Sequence, residues 1–468
     1  MRSLSKVGVL SAALLLAACQ AGPEYQKPET SLAPYHTAPV KTAEAPPLDS
    51  WWSGFHDPEL TMVVERALAQ NLDLAASLAR VQQARAVARQ TGARLMPSGA
   101  FESSVTPYRQ SVESPVGAIA HNLPGYDRDW VDYNAGIGAS WEVDLSGGLH
   151  RDVEAAGALA EAAEADHAGI RISVAADAAD AYLQIRGYQA RLAFAKAQID
   201  ADNHLLDLVK LRQRRGVATD REVAQADALT AQALALLPPL RIGLEAQLNR
   251  LDVLLGAQPG TYAKELSIVA DIPGVPAVDP ADPADLLRRR PDVIAAERKL
   301  AASSARIGSA MSEYYPKVNL SALLGFESIS SQQFLTGAAF QPQAVAGLRW
   351  RLFDFGRVDS EVEQASGANA EALARYRAAV LRATEDVENA LTSLAQEAEQ
   401  TRELSRETAS LTRARDTAEE AYRGGAVSLI DVLDSDRQLL VAQDDLARVR
   451  ADTARSAVGS YRALGGGW

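Results

Sequence analysis

Only one cysteine, Cys19, occurs in the 468 residues, which excludes an intramolecular disulfide and any cysteine-based metal cage. The six histidines, His36, His56, His121, His150, His167 and His204, show no metal-binding helical spacing, and neither a phosphate-cradling glycine loop nor a nucleophile elbow is present. Enzyme chemistry is therefore not expected, and neither is a bound metal. Basic residues number 47 against 60 acidic ones, and no basic run is longer than Arg288-Arg289-Arg290. A nucleic-acid partner would need a concentrated basic face, so none is expected. Long apolar runs are missing too. The stretch Val7 to Leu16 falls well short of the ~20 residues a spanning helix needs.

What stands at the N-terminus is a processing signal. Arg2 and Lys6 precede the short apolar run, which ends in Leu16-Ala17-Ala18-Cys19. The pattern resembles a bacterial lipoprotein signal, which implies that residues 1–18 are removed and that Cys19 is lipidated. No other cofactor is expected. Residues 19–56 are rich in Pro, Ala and Thr without helical period and predict an extended arm, with a helix starting near Asp57-Pro58.

The rest of the chain repeats itself. Trp141 recurs at Trp350, Asp177 at Asp386, Gly216 at Gly425 and Leu255-Gly256 at Leu464-Gly465, each pair 209 positions apart. Asp73 pairs with Asp292 and Pro97 with Pro316 at a separation of 219. The unit is far longer than solenoid repeats, so two half-molecules are predicted, at 57–256 and 286–468, joined by a Pro-rich linker at 257–285. A variable loop between Pro97 and Trp141 accounts for the shift in offset.

Each half holds a long proline-free, alanine-rich segment. In the first, Val174, Ala178, Ala181, Ile185, Tyr188, Leu192, Ala195, Ile199, Leu206 and Val209 follow a period of about 3.5, the coiled-coil rhythm, with Asp202 alone breaking it. Such a helix of ~65 residues extends roughly 100 Å. A turn and a returning helix follow, so helical hairpins are expected at about 148–255 and 356–464, with Pro238-Pro239 bending the first return.

Between the helices lie four segments that alternate with period two. Tyr133, Ala135, Ile137, Ala139, Trp141 and Val143 alternate with Asn134, Gly136, Gly138, Ser140, Glu142 and Asp144. Segments from Lys317 to Glu327 and from Phe340 to Phe353 behave alike, and a weaker one runs from about Ser98 to Tyr108. β-hairpins are therefore expected at about 98–144 and 315–353. Strands of roughly 9–11 residues with this alternation suit a transmembrane barrel. Four strands cannot close one, and a bilayer tolerates no open edge. Oligomers are implied: two copies would supply eight strands, three copies twelve, and a lumen needs more than about eight. Two half-buried soluble hairpins remain the alternative on pattern alone.

Several further motifs stand in order along the chain. They are Gly22-Pro23-x-Tyr25-x-x-Pro28, Trp51-Trp52-x-x-Phe55-x-Asp57-Pro58 and Asp285-Leu286-Leu287-x-Arg289-Arg290-Pro291-Asp292. Then come Trp350-x-Leu352-Phe353-Asp354-x-Gly356-Arg357, Tyr422-Arg423-x-Gly425 and the final Leu464-Gly465-Gly466-Gly467-Trp468. Over nearly its whole length the chain resembles the TolC-like outer-membrane factors, in the lipidated OprM/NodT-type branch.

That resemblance implies a membrane α+β protein of a Gram-negative outer membrane. Four transmembrane strands per protomer would complete a twelve-stranded barrel in a homotrimer, continued by a periplasmic α-helical barrel. It implies a periplasmic adaptor and an inner-membrane pump of the resistance-nodulation-division class as partners, with small molecules passing through. It places a periplasmic gate at Asp431, Asp434 and Arg437, and adaptor-contacting tips at Gly216, Val217, Thr219, Gly425, Val427 and Ser428. Helix capping explains Thr219 and Ser428 equally well, and Gly216 and Gly425 suit the backbone of a turn. The halves differ here, with Glu222 and Gln225 where the second has Asp431 and Asp434. A duct for type I protein secretion, and a non-conducting envelope-spanning lipoprotein, are the alternatives.

Overall fold

The computed structural model describes residues 20–30, 32–37, 45–279 and 283–468. Cys19, the expected lipidation site, lies outside the described residues. Two compact units are distinguished. One comprises the described residues up to Pro28 with Gln82–Ala162 and Ala296–Arg375; the other comprises Glu29–Val81, Ala163–Ala295 and Tyr376–Trp468.

The helices are α1 (Pro58–Gln70), α2 (Leu72–Ala93), α3 (Pro115–Ala120), α4 (Gly148–Arg214), α5 (Asp220–Ala235), α6 (Leu237–Leu254), α7 (Pro283–Arg289), α8 (Pro291–Met311), α9 (Arg357–Arg423) and α10 (Leu429–Ala463). The strands are β1 (Ser98–Arg109), β2 (Asp129–Val143), β3 (Lys317–Ser328) and β4 (Phe340–Arg349). α4 and α9 are each continuous for 67 residues. Among the described residues no helix is long and apolar enough to cross a membrane.

In the first unit the strands form one antiparallel sheet in the order β1-β2-β3-β4. The register carries Phe101 opposite Ile137, Ile137 opposite Leu324 and Leu324 opposite Pro342. Period two then separates the faces. One shows Phe101, Val105, Ile137, Leu324, Phe340 and Leu348, all exposed. The other shows Glu102, Ser104, Asn134, Ser140, Asn319, Ser321, Gln341, Gln343 and Arg349. At the centre of the polar face a Cβ on Gly136 would stand 2.9 Å from the Gly325 Cα, so the backbones approach where only glycine fits.

β4 ends at Arg349, earlier than the alternation through Leu352 and Phe353 suggests. The partner strand sets this end: β3 begins at Lys317, opposite Arg349 and directly after Pro316, so β4 has no further rung. Just beyond, the Trp350 Nε1 donates to the Tyr314 carbonyl at 3.0 Å. Trp141 Nε1 does the same at the entry to β1, donating to the Leu95 carbonyl at 2.9 Å.

The arm is seated on this unit by backbone bonds. Ala21 N–H donates to the Ser146 carbonyl at 2.8 Å, and the buried Arg151 Nε donates to the Ala21 carbonyl at 3.1 Å. Gly22 has φ +87° and lies against Gly308, where any Cβ would collide with backbone. Tyr25 donates its hydroxyl to Glu297.

The second unit is built around Trp51, Trp52, Phe55, Leu60, Val64, Ala175, Ala178, Tyr182, Ile185 and Tyr461. Here the arm departs from the extended form expected through residue 56. Leu48–Phe55 is a 3-10 helix, because burying three aromatic rings within five residues requires a tight turn. Trp51 stacks on Tyr461 with centroids 5.3 Å apart. Asp57 caps α1, accepting from the Glu59 and Leu60 amides at 2.9 and 3.1 Å. Its other oxygen accepts from the Tyr182 hydroxyl at 2.8 Å, and Tyr182 accepts from the fully buried Arg186 at 3.0 Å. Burial pushes the Tyr182 hydroxyl pKa up, so this chain of bonds stays neutral at the phenol. The double proline Pro238-Pro239 divides the first returning limb into α5 and α6, as a missing amide requires.

Candidate functional site

The two turns that join long helix to returning helix are built alike. α4 closes by the Schellman pattern: Val217 N–H donates to the Arg212 carbonyl at 2.9 Å and Gly216 N–H to the Gln213 carbonyl at 2.8 Å. α9 closes in the same way 209 residues later, with Ala426 N–H on Ala421 at 2.8 Å and Gly425 N–H on Tyr422 at 3.0 Å. Both patterns need a left-handed residue, and Gly216 has φ +73° and Gly425 φ +78°.

Thr219 and Ser428 then start the returning helices. The Thr219 amide donates to Glu222 at 2.7 Å while its hydroxyl accepts from the Glu222 amide at 3.3 Å, a capping box. The Ser428 amide and hydroxyl donate to Asp431 at 2.9 and 2.6 Å. Those Ser428 bonds hold the Asp431 carboxyl below the usual range, as the Thr219 bonds do for Glu222. Asp434 and Arg437 are exposed and pair with each other at 3.1 Å, and Gln438 donates to the second Asp434 oxygen at 2.7 Å. Val217 is 63% exposed, whereas Val427 packs half-buried against Leu205, Leu206, Val209, Tyr422 and Val432. The structure thus brings Ser428 to Asp431 and Asp434 to Arg437, and separates the two valines by burial.

Sequence reasoning passed over the link between the turns. Arg212 lies 4.4 Å over the Tyr422 ring and its Nη1 donates to the Tyr422 carbonyl at 2.9 Å. A second link lies deeper. Asp202 on α4 and Asp436 on α10 are 1% and 4% exposed and face a shared partner, Arg415 of α9, which stands 3.6 Å from Asp436. Gln198 donates to Asp202 at 2.7 Å. Asp202 was visible as a break in the apolar period, but Asp436 sits among other acids and carries no such mark.

A four-stranded sheet with one apolar and one polar face, together with two tandem helical hairpins, is the fold of outer-membrane efflux channels. The model of the outer membrane efflux protein family matches residues 63–257 and 283–466. The chain belongs to that family, the TolC-like outer-membrane factors, and is an outer-membrane channel of a tripartite efflux system. It is 32% identical over 471 aligned residues to the pyoverdine export outer membrane protein OpmQ of Pseudomonas aeruginosa, covering 100% of this chain and 98% of that one. Nodulation protein T of Rhizobium leguminosarum bv. trifolii is 29% identical, covering 97% and 96%. Among solved structures, the outer-membrane channel OprN superposes with a TM-score of 0.86 at 32% identity, over 96% of this chain and 100% of that one. The Campylobacter jejuni CmeC channel reaches 0.86 at 22% identity, over 96% and 95%, and shares the fold. These neighbours are channel proteins, not enzymes.

Proposed function

We propose that three copies close one twelve-stranded barrel and that their helical hairpins continue it as a periplasmic duct for small molecules. The carrying observation is the open sheet of β1 to β4. Its outer strands have unpaired edges among the described residues, and one face shows large exposed apolar side chains, Phe101, Ile137, Leu324 and Leu348 among them. Lipid accepts that face, but no bilayer accepts the edges. Pairing β4 of one copy with β1 of the next removes every edge, and turns the Glu102, Asn134, Asn319 and Gln343 face toward a wet lumen.

On this reading the turns point into the periplasm. Gly216, Val217, Thr219, Gly425, Val427 and Ser428 form the surface offered to a periplasmic adaptor, with an inner-membrane pump of the resistance-nodulation-division class beyond it. Asp431, Asp434 and Arg437 form the gate, since a three-fold axis repeats each charge three times around a narrow opening. Cys19 carries the lipid anchor. Energy comes from the pump, because the chain carries no nucleotide-binding loop.

The test is conductance of the purified, reconstituted protein in planar bilayers, with its mass in detergent measured alongside. A trimer with discrete channels supports the reading. A monomer or dimer, or a trimer with no conductance even after Asp434→Ala, overturns it. Loss of a secreted protein with unchanged drug susceptibility in a deletion strain would instead favour protein export.

A further inference from the structure

The buried acids Asp202 and Asp436 have no task in holding a protomer together that apolar residues would not do better. Every neighbouring position in the coiled-coil period of α4 is apolar or small, and Ile199 one turn before Asp202 packs with Ala233 and Leu440. Two carboxylates here face one guanidinium. Arg415 divides itself between Asp436 at 3.6 Å and the exposed Asp416, which it holds at 2.8 Å. Gln198 supplies a neutral amide to Asp202 and reaches Asp436 as well. Glu419, also near, is paired with Arg423. α5 adds no charge on this side: its buried residues are Ala226, Leu229, Thr230 and Ala233, and the Thr230 hydroxyl is used on the Ala226 carbonyl.

The bonding is therefore one hydrogen short. Asp202 Oδ2 and Asp436 Oδ1 are both buried and neither accepts a hydrogen bond. A buried carboxylate oxygen without a hydrogen bond is destabilising, and Arg415 disfavours a metal cation in the same space. A proton meets the need, because it neutralises the surplus buried charge.

We propose that Asp202 and Asp436 are a proton-binding clasp between the two helical hairpins, closed when the pair holds one proton and loosened when the proton leaves to water. In the closed form one of the two carboxyls is neutral, and Arg415 balances the charge that remains on the other. In the loosened form two like charges repel across the contact between α4 and α10. Burial pushes the Asp202 pKa up to about 6 and raises that of Asp436. The sign follows from a raised carboxyl pKa: the proton is held more tightly when folded. The clasp therefore contributes fully below the ordinary carboxylate range and is lost as pH rises through about 6. Resting on the channel reading, this makes the clasp a regulator of the periplasmic opening, tight in acid and free to open near neutrality.

The test uses the full-length purified protein, with two readouts. The first is the infrared carbonyl band of a protonated carboxylic acid, with aspartate isotope-labelled, followed from pH 4.5 to 8. The second is amide exchange of the α4 and α10 segments flanking the pair, corrected for intrinsic rate. Expected are a buried acid band lost near pH 6, and local opening roughly tenfold or more commoner at pH 7.5 than at pH 5. Asp202→Asn and Asp436→Asn should each abolish that band and flatten the exchange profile. Arg415→Gln should move the transition to higher pH, which loss of packing alone would not do. No acid band in the wild-type protein, or an unchanged exchange profile in both asparagine variants, overturns the clasp. Neither readout needs conduction, so a silent bilayer would count against the channel reading and leave the clasp standing on its own data.

Discussion

The Arg212 guanidinium covers the Tyr422 ring at 4.4 Å and donates to the same residue's carbonyl at 2.9 Å. One side chain thereby joins the end of α4 to the last turn of α9, which lies 210 residues further on. It serves two purposes at once, a cation–π contact and a second hydrogen bond to a C-terminal carbonyl that already accepts from the Gly425 amide. Replacing Arg212 with Ala should weaken the contact by about 1–2 kcal/mol. Amide exchange of residues 422–428 should rise roughly tenfold while the sheet stays protected. Arg212→Lys should recover only part of the protection, because an ammonium cannot make both contacts with a planar fork.

Gly216→Ala and Gly425→Ala place a Cβ at positive φ and should each cost about 1–2 kcal/mol. Nothing lies within 4 Å of either built Cβ, so the loss is backbone strain alone. Thermal unfolding in detergent should therefore fall by similar amounts in both variants. Unequal shifts would show that one turn is held by contacts the other lacks.

The Ser428–Asp431 cap predicts a pH dependence opposite in sign to the clasp. Its carboxyl pKa is lowered by the Ser428 hydroxyl and amide, so its contribution is present above the ordinary aspartate range near 3.8 and is lost as pH falls through the folded value. Amide exchange at the start of α10 should be protected at neutral pH and rise in strong acid. Asp431→Ala should remove the protection at every pH.

Asp434 and Arg437 of the proposed gate are exposed and hold each other at 3.1 Å. As an exposed pair it adds at most ~1 kcal/mol to stability. Changing both to Ala should leave the thermal midpoint almost unmoved and raise mean conductance several-fold in planar bilayers. Unchanged conductance would remove these residues from the gate.

Trp141→Phe and Trp350→Phe each delete an indole donor to a carbonyl at the entry of a strand, Leu95 in one half and Tyr314 in the other. Each should cost about 0.5–1.5 kcal/mol, measured as loss of the heat-resistant sheet signal in circular dichroism.

The chain by itself determined everything that depends on neighbours in sequence. The alternation of polar and apolar residues set the faces of β1 to β4, the glycines set the turn closures at Gly216 and Gly425, and the Thr219 and Ser428 positions set the helix starts. The 209-residue offset even announced which bonds would occur twice. Leu48–Phe55 was missed, because its turn is stabilised by burial of Trp51 against Tyr461, a residue of the last helix. The early end of β4 was missed too, since it is set by where the partner strand β3 begins, at Lys317 opposite Arg349. Asp202 showed as a flaw in a coiled-coil period, and nothing local told what answered it. Only the tertiary structure put Asp436 and Arg415 beside it, because a buried charge is decided by what faces it across the bundle, and that depends on packing rather than on spacing.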